Sequence, residues 1–233
     1  MVLIKGLQKV SMIDYPGKVA CTVFLPGCDF RCPFCHNPSL IFEPDSLPTM
    51  PTKEFFEFLE SRKGWLDGVC VTGGEPLLSK NIPEFLRGIK DRGFLVKLDS
   101  NGSLPGKLQA LFDDKLVDFI AMDIKASPER YSEAAGVRVN ISSIQESINL
   151  IRSSGLPYEF RTTVIPRLHG RDDLLAIGEW LEGSDFYALQ QFRPDFGTLD
   201  PEYAKEVAYK KSELQEFTDM LKPYFKKVVL RVD

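Results

Sequence analysis

Three of the five cysteines in this chain, Cys28, Cys32 and Cys35, fall in the run Cys-Asp-Phe-Arg-Cys-Pro-Phe-Cys-His that ends at His36. A C-x3-C-x2-C spacing offers three soft ligands to one metal centre, and five is an odd number for a set of disulfide bridges. A metal or redox site is therefore the first expectation. With His36 as a fourth donor the trio would suit tetrahedral zinc, although a ring on the residue next to Cys35 is poorly placed to close such a site. Cys21 and Cys70 lie inside apolar runs and read as small core residues.

A second set of chemistry-bearing residues comes from strand alternation, because residues two apart share a face. Lys97 and Asp99 share a face with Leu95, Asp123 and Lys125 with Ala121, Arg161 with Thr163, and Arg193 with Leu189 and Gln191. The opposite faces are mostly apolar. Isolated buried charges are strongly disfavoured, so their gathering toward the C-terminal ends of strands predicts a polar ligand there. His169, in a Leu-His-Gly-Arg loop, reads as an exposed polar residue.

The elements that must carry these residues alternate. Strand-like runs fall at 19–25, 68–72, 94–99, 117–123, 158–165 and 186–192, and helix-period segments at 52–62, 82–92, 104–113, 142–153 and 172–181. Thr52 reads as an N-cap, Gly93 and Gly155 sit where a C-cap glycine belongs, and Pro83 suits a first turn. A last helix at 212–221 stops before Pro223, with a final edge strand at 227–232. Residues 3–18, broken by Gly6 and the Tyr15-Pro16-Gly17 turn, suggest an extended flap or hairpin. Six strand–helix units imply a parallel sheet with helices outside. A closed eight-unit barrel takes about 250 residues. The expected fold is thus α/β, a partial, laterally open (β/α)6 TIM-type barrel with an N-terminal extension. One domain is expected over 1–233: a flap at 1–18, a barrel core at 19–200, and a C-terminal helix and strand at 201–233.

At 43% hydrophobic and 27% charged, with a net charge of -4, the composition gives no electrostatic footprint for nucleic acid or an anionic membrane. The N-terminal apolar run is too short for a signal peptide and no stretch has the length of a membrane span, so a cytoplasmic location is expected, where thiols stay reduced.

Taken together, Cys28-x3-Cys32-x2-Cys35 with Phe34 before the last cysteine, Gly73-Gly74-Glu75-Pro76 after the second strand, and six strand–helix units resemble the radical S-adenosylmethionine (SAM) superfamily. Ser11-Met-Ile-Asp14-Tyr-Pro-Gly17, Cys35-His36-Asn37-Pro38, Asp99-Ser100-Asn101-Gly102 and Met122-Asp-Ile-Lys125 resemble the glycyl-radical-enzyme activases. Within these the chain looks most like the single-domain branch that activates anaerobic ribonucleoside-triphosphate reductase, and it is similar to the pyruvate formate-lyase activases.

The resemblance implies one 4Fe-4S cluster on Cys28, Cys32 and Cys35, with one iron left open for the amino and carboxylate groups of SAM. It implies reductive cleavage of SAM to a 5′-deoxyadenosyl radical that takes hydrogen from a glycine of a partner glycyl radical enzyme. Phe34 and His36 would lie on the adenine side; Gly73, Gly74 and Glu75 would meet the SAM amino group. Asp99, Ser100, Asn101, Asp123 and Lys125 would surround the methionine carboxylate and ribose, with Arg161 near the carboxylate. A monovalent cation, Na+ or K+, would be held with Asp99 and Asp123. Arg193 stands where those activases carry a SAM-contacting histidine. No cysteine-rich insertion follows Asn37, so electrons would come from an external flavodoxin or ferredoxin. Two other functions compete: a compact radical SAM enzyme acting on a small molecule, like the 7-carboxy-7-deazaguanine synthases, and a non-catalytic zinc-bound binding module.

Overall fold

Short β-branched and aromatic runs alternating with amphipathic segments produce the expected series of strands and helices. The computed structural model describes residues 2–232. Its strands are β1 (Gly6–Ser11), β2 (Ala20–Leu25), β3 (Gly68–Gly73), β4 (Leu95–Ser100), β5 (Phe119–Asp123), β6 (Tyr158–Val164), β7 (Ser184–Gln191) and β8 (Phe225–Arg231). They lie in one sheet in the order of the chain, β1 through β8. β1 is antiparallel to β2; the pairs β2–β3, β3–β4, β6–β7 and β7–β8 are parallel. A doubly wound sheet reverses its order partway. The sequential order found here is the barrel-type α/β winding that the sequence predicts.

The helices are α1 (Pro38–Phe42), α2 (Thr52–Glu60), α3 (Ile82–Lys90), α4 (Pro105–Asp113), α5 (Tyr131–Ala135), α6 (Ile141–Ser153), α7 (Arg171–Trp180) and α8 (Lys211–Leu221). α1 and α5 have five residues each and were not expected, since so short an element shows no periodicity. Thr52 is not the N-cap of α2. That position is Pro51, and the Thr52 hydroxyl donates instead to the Val2 carbonyl at 3.0 Å, tying the N-terminal segment to the helix.

Two compact units divide the described chain: residues 2–29, Asn37–Ala121 and Glu146–Pro157 form the first, and Phe30–His36, Met122–Gln145 and 158–232 the second. In the first, Val23, Leu25, Val69, Val71 and Leu98 are buried to 1% exposure or less. Phe55 of α2 packs on Phe85 of α3, ring centroids 5.4 Å apart. The N-terminal segment turns back at residues 15–18, where Lys18 N–H donates to the Tyr15 carbonyl, and Thr22 Oγ1 donates to Asp14 Oδ2 at 2.6 Å, so β1 returns as a hairpin partner of β2.

In the second unit the final strand is held by charge as well as by its ladder. The Glu159 side chain is 1% exposed; its Oε2 lies 2.5 Å from Arg231 Nη2, and its Oε1 lies 3.8 Å from Arg161 Nη1. A carboxylate taken out of water is tolerable only with such partners. Arg231 of β8 thereby reaches across β7 to β6.

Candidate functional site

The geometry of the first unit begins where the chain leaves β2. Gly74 N–H donates to the Leu25 carbonyl at 2.9 Å and Glu75 N–H to the Gly27 carbonyl at 2.7 Å, so the loop that delivers Cys28 is bonded to the end of β3. Both glycines are required by this approach. Gly73 has φ +123° and a Cβ there would sit 2.3 Å from Leu25 N; a Cβ on Gly74 would sit 1.8 Å from the Gly27 oxygen. Their smallness is thus already accounted for by the cysteine loop.

Glu75 is 1% exposed and its carboxylate is fully engaged. Oε1 accepts from Leu77 N at 3.0 Å and from Ser100 Oγ at 3.1 Å, while Oε2 accepts from Asn101 N at 2.7 Å. Burial pushes its pKa up to about 7, with the hydrogen bonds from Asn101, Leu77 and Ser100 pulling the other way. Asn101 Nδ2 in turn donates to Asp29 Oδ1 at 2.8 Å and lies 3.8 Å from Cys28 Sγ. The Gly-Gly-Glu, Ser-Asn-Gly and cysteine motifs are therefore joined by hydrogen bonds.

Asp99 and Lys97 do share a face, as alternation requires: Lys97 Nζ is 2.5 Å from Asp99 Oδ1, and the Lys97 side chain is only 1% exposed. Lys97, one of the inward charges the alternation singles out, is thus the cation that partners Asp99. A lysine on an inward face with a carboxylate two residues on was the available signal.

In the second unit the cysteine segment is fixed from both ends. Arg31 N–H donates to the Ala135 carbonyl at 2.8 Å, Leu199 N–H to the Cys35 carbonyl at 3.0 Å and Asp200 N–H to the Pro33 carbonyl at 2.8 Å. Phe34 is 6% exposed. His36 stacks on Phe192 with ring centroids 5.6 Å apart and an interplanar angle of 11°. Its Nε2 is buried with no hydrogen-bond partner, and burial holds its pKa below the usual histidine value. An aromatic ring with an orphaned polar edge beside the cysteines suits a heteroaromatic ligand.

Asp123, Lys125 and Arg161 come together as the alternation predicts. Asp123 Oδ2 is 3.0 Å from Lys125 Nζ, and Oδ1 accepts from Arg161 Nε. Burial alone would raise the Asp123 pKa, but the Arg161 and Lys125 charges outweigh it and hold the carboxyl well below the usual range. For Lys125, burial is likewise outweighed, chiefly by Asp123 and then by Cys32, so the ammonium is held charged. These three line a narrow cleft with Phe34, Ile124 and Thr163. Its two cations, Lys125 and Arg161, are the groups that could pair with a carboxylate-bearing ligand.

One expectation changes. His169 is not an exposed loop residue: it is fully buried, its Nδ1 accepts from Ile165 N–H at 3.0 Å, and its Nε2 faces the Lys125 carbonyl at 2.8 Å. It thus supports the backbone beneath the cleft. Arg193 is held in its own loop, paired with Asp195 at 3.1 Å and lying 4.9 Å over the Phe196 ring. The monovalent cation gains no support, since Asp99 and Asp123 each already face a cationic side chain.

None of the five cysteines is in a disulfide. Cys28 belongs to the first unit, and Cys32 and Cys35 to the second. Among the described residues no group of three or more His, Cys, Asp or Glu forms a ready metal cage. Cys21 and Cys70 are 0% and 1% exposed within β2 and β3, as a core role demands. The C-x3-C-x2-C segment offers three unbridged thiols, a donor chemistry that fits a cluster bound through three sulfurs.

Comparison with known proteins agrees. The model of the radical SAM superfamily matches residues 22–180. A Methanocaldococcus jannaschii protein, provisionally named a glycyl-radical enzyme activating enzyme, is 34% identical over 234 residues, covering 98% of this chain and 95% of that protein. The pyruvate formate-lyase-activating enzyme of Streptococcus mutans is 28% identical over 77% of this chain and 72% of its own. Among solved structures, Streptococcus suis SuiB bound to S-adenosylmethionine has the same fold, with a TM-score of 0.68 at 15% identity over 88% of this chain. The chain spans 48% of that SuiB chain. A domain of the pyruvate-formate lyase-activating enzyme from Bacteroides vulgatus gives 0.56 at 16% identity, covering 71% of this chain and 99% of that domain.

The chain belongs to the radical SAM superfamily, whose members use SAM and a 4Fe-4S cluster. The end-to-end match with the M. jannaschii protein places it, more narrowly, with the glycyl-radical-enzyme activating enzymes. It is an enzyme of that type. No helix among the described residues is long and apolar enough to cross a membrane.

Proposed function

We propose that this enzyme activates a glycyl radical enzyme, with anaerobic ribonucleoside-triphosphate reductase as the first partner to test, through a 4Fe-4S cluster on Cys28, Cys32 and Cys35. The observation that carries the reading is the C-x3-C-x2-C loop, free of disulfides and bonded through Gly74 and Glu75 to the end of β3. When bound, cluster and SAM supply a one-electron reductive cleavage whose 5′-deoxyadenosyl radical removes hydrogen from a glycine Cα of the partner.

The chain's own residues hold and shield. Lys125, kept charged by Asp123, and Arg161 bind the methionine carboxylate; Phe34 and the His36–Phe192 stack receive the adenine, with His36 Nε2 offering a polar contact. In the first unit, Glu75 fixes the Ser100–Asn101 backbone, and Asp99 and Ser100 are proposed for the ribose. One electron donor must be external: of the five cysteines, two are buried in strands, which leaves no set of four for a second cluster. A flavodoxin or ferredoxin meets that need. Five unbridged thiols fit a reducing compartment, the cytoplasm.

Anaerobic reconstitution followed by reduction with SAM and the reductase tests this. A glycyl EPR doublet on the reductase together with 5′-deoxyadenosine is the expected result. SAM cleavage with no doublet on the reductase or on pyruvate formate-lyase would refute the activase reading, and zinc in place of iron and sulfide would refute the cluster.

A further inference from the structure

Asn101 is 6% exposed, and both ends of its carboxamide have partners in the first unit. Oδ1 accepts from Ser103 N–H at 2.9 Å, which settles the end of the amide that is oxygen. The NH2 therefore faces the other way, where Asp29 Oδ1 lies at 2.8 Å and Cys28 Sγ at 3.8 Å. An amide NH2 has two hydrogens, and these two acceptors use both. The N···S distance is long because sulfur is large.

The backbone that carries this side chain is anchored. Its backbone N–H is held by the buried Glu75 carboxylate at 2.7 Å, and Glu75 is anchored by Leu77 N–H and Ser100 Oγ. Asn101 is 73 residues from Cys28 in sequence, so the contact is built by the fold.

We infer that Asn101 is a tuning residue for the iron–sulfur cluster: its Nδ2–H donates to the Cys28 thiolate and raises the cluster's reduction potential. The inference rests on the reading that Cys28 is a cluster ligand. A hydrogen bond to a ligating thiolate draws negative charge off the sulfur and favours the reduced cluster, which carries one more electron, over the oxidised one. Easier reduction matters in this chain because its electron has to arrive from outside.

The test is an EPR-monitored redox titration, without SAM, of the reconstituted full chain as wild type, Asn101→Ala and the isosteric Asn101→Asp. Loss of the donor should lower the reduced-to-oxidised ratio at a given potential about tenfold, a midpoint about 59 mV more negative for a one-electron couple. Iron and sulfide should stay at the wild-type level. An unchanged midpoint in a fully loaded variant overturns the inference. Should neither variant load, the wild type decides: pulsed EPR of the reduced cluster in protein labelled with side-chain amide 15N asparagine should show a coupled 15N, and its absence overturns the inference. A wild type that binds no iron would instead remove the underlying reading of Cys28.

Discussion

Acidification should expose the role of His169, and its size follows from the structure. The imidazole is fully buried, with Nδ1 taken up by the Ile165 N–H and Nε2 facing the Lys125 carbonyl. The neutral form alone satisfies both, as acceptor and donor. Burial pushes its pKa down to about 4 from the usual 6.5. Above pH 6.5 neither the folded nor the unfolded chain protonates this ring, and the arrangement is undisturbed. Between 6.5 and 4 the unfolded chain binds a proton that the folded chain refuses, so stability is lost as pH falls. At about pH 5 the gap is about 1.5 units, or about 2 kcal/mol at about 1.36 kcal/mol per unit.

The comparison should be made against His169→Gln, which keeps an amide donor for the Lys125 carbonyl and does not titrate. Glu75, raised to about 7 from 4.5, works in the opposite sense, adding stability as pH falls from 7 toward 4.5. It does so in both proteins and cancels from the difference, as does His36. Urea midpoints at about pH 7.5 and about pH 5 should show wild type losing about 2 kcal/mol more than the variant over that interval. The chain has only two histidines, so an imidazole NMR titration, assigned by the variant, gives the same quantity directly. A His169 resonance titrating near the ordinary value, or equal pH slopes for the two proteins, would refute the reasoning.

Further outcomes follow from other contacts. Gly74→Ala places a methyl where the Gly27 oxygen already lies at 1.8 Å, so the cysteine loop must shift; iron bound per chain after reconstitution should fall below half of wild type, at a stability cost of about 1–3 kcal/mol. Arg231→Leu strips Glu159 of its nearest cation and should destabilise by about 3 kcal/mol in urea unfolding, with most of that recovered in the Arg231→Leu, Glu159→Leu double variant. Serine at Cys28, Cys32 or Cys35 should each abolish four-iron loading. Alanine at Cys21 should leave the iron content intact, because burial pushes that thiol up to about 12 and withholds it from ligation.

How far the sequence reached depended on the range of the interaction. The strands and their inward charges were legible because alternation is local: Lys97–Asp99 and Asp123–Lys125 are pairs two residues apart on one face. The glycines at 93 and 155, expected just past helix ends, follow α3 and α6 within three residues, and both have positive φ. His169 was misread because its burial depends on a carbonyl 44 residues away, while its neighbours Gly170 and Arg171 look like loop. Thr52 has the right chemistry for a cap, but a tertiary acceptor on Val2 takes its hydroxyl. The cysteine spacing named the kind of metal chemistry; it held no hint that an asparagine near the middle of the chain reaches the first sulfur.

The bonds from Gly74 and Glu75 to the β2 exit bear on the order of events in the cell. In small zinc domains the metal organises the chain, and stripping it unfolds them. Here the perch of Cys28 is tied to the sheet by backbone hydrogen bonds, which need no metal to form. Loss of the cluster to oxygen should therefore cost the chain its cofactor and not its fold, so that the bleached protein can be refilled without being refolded.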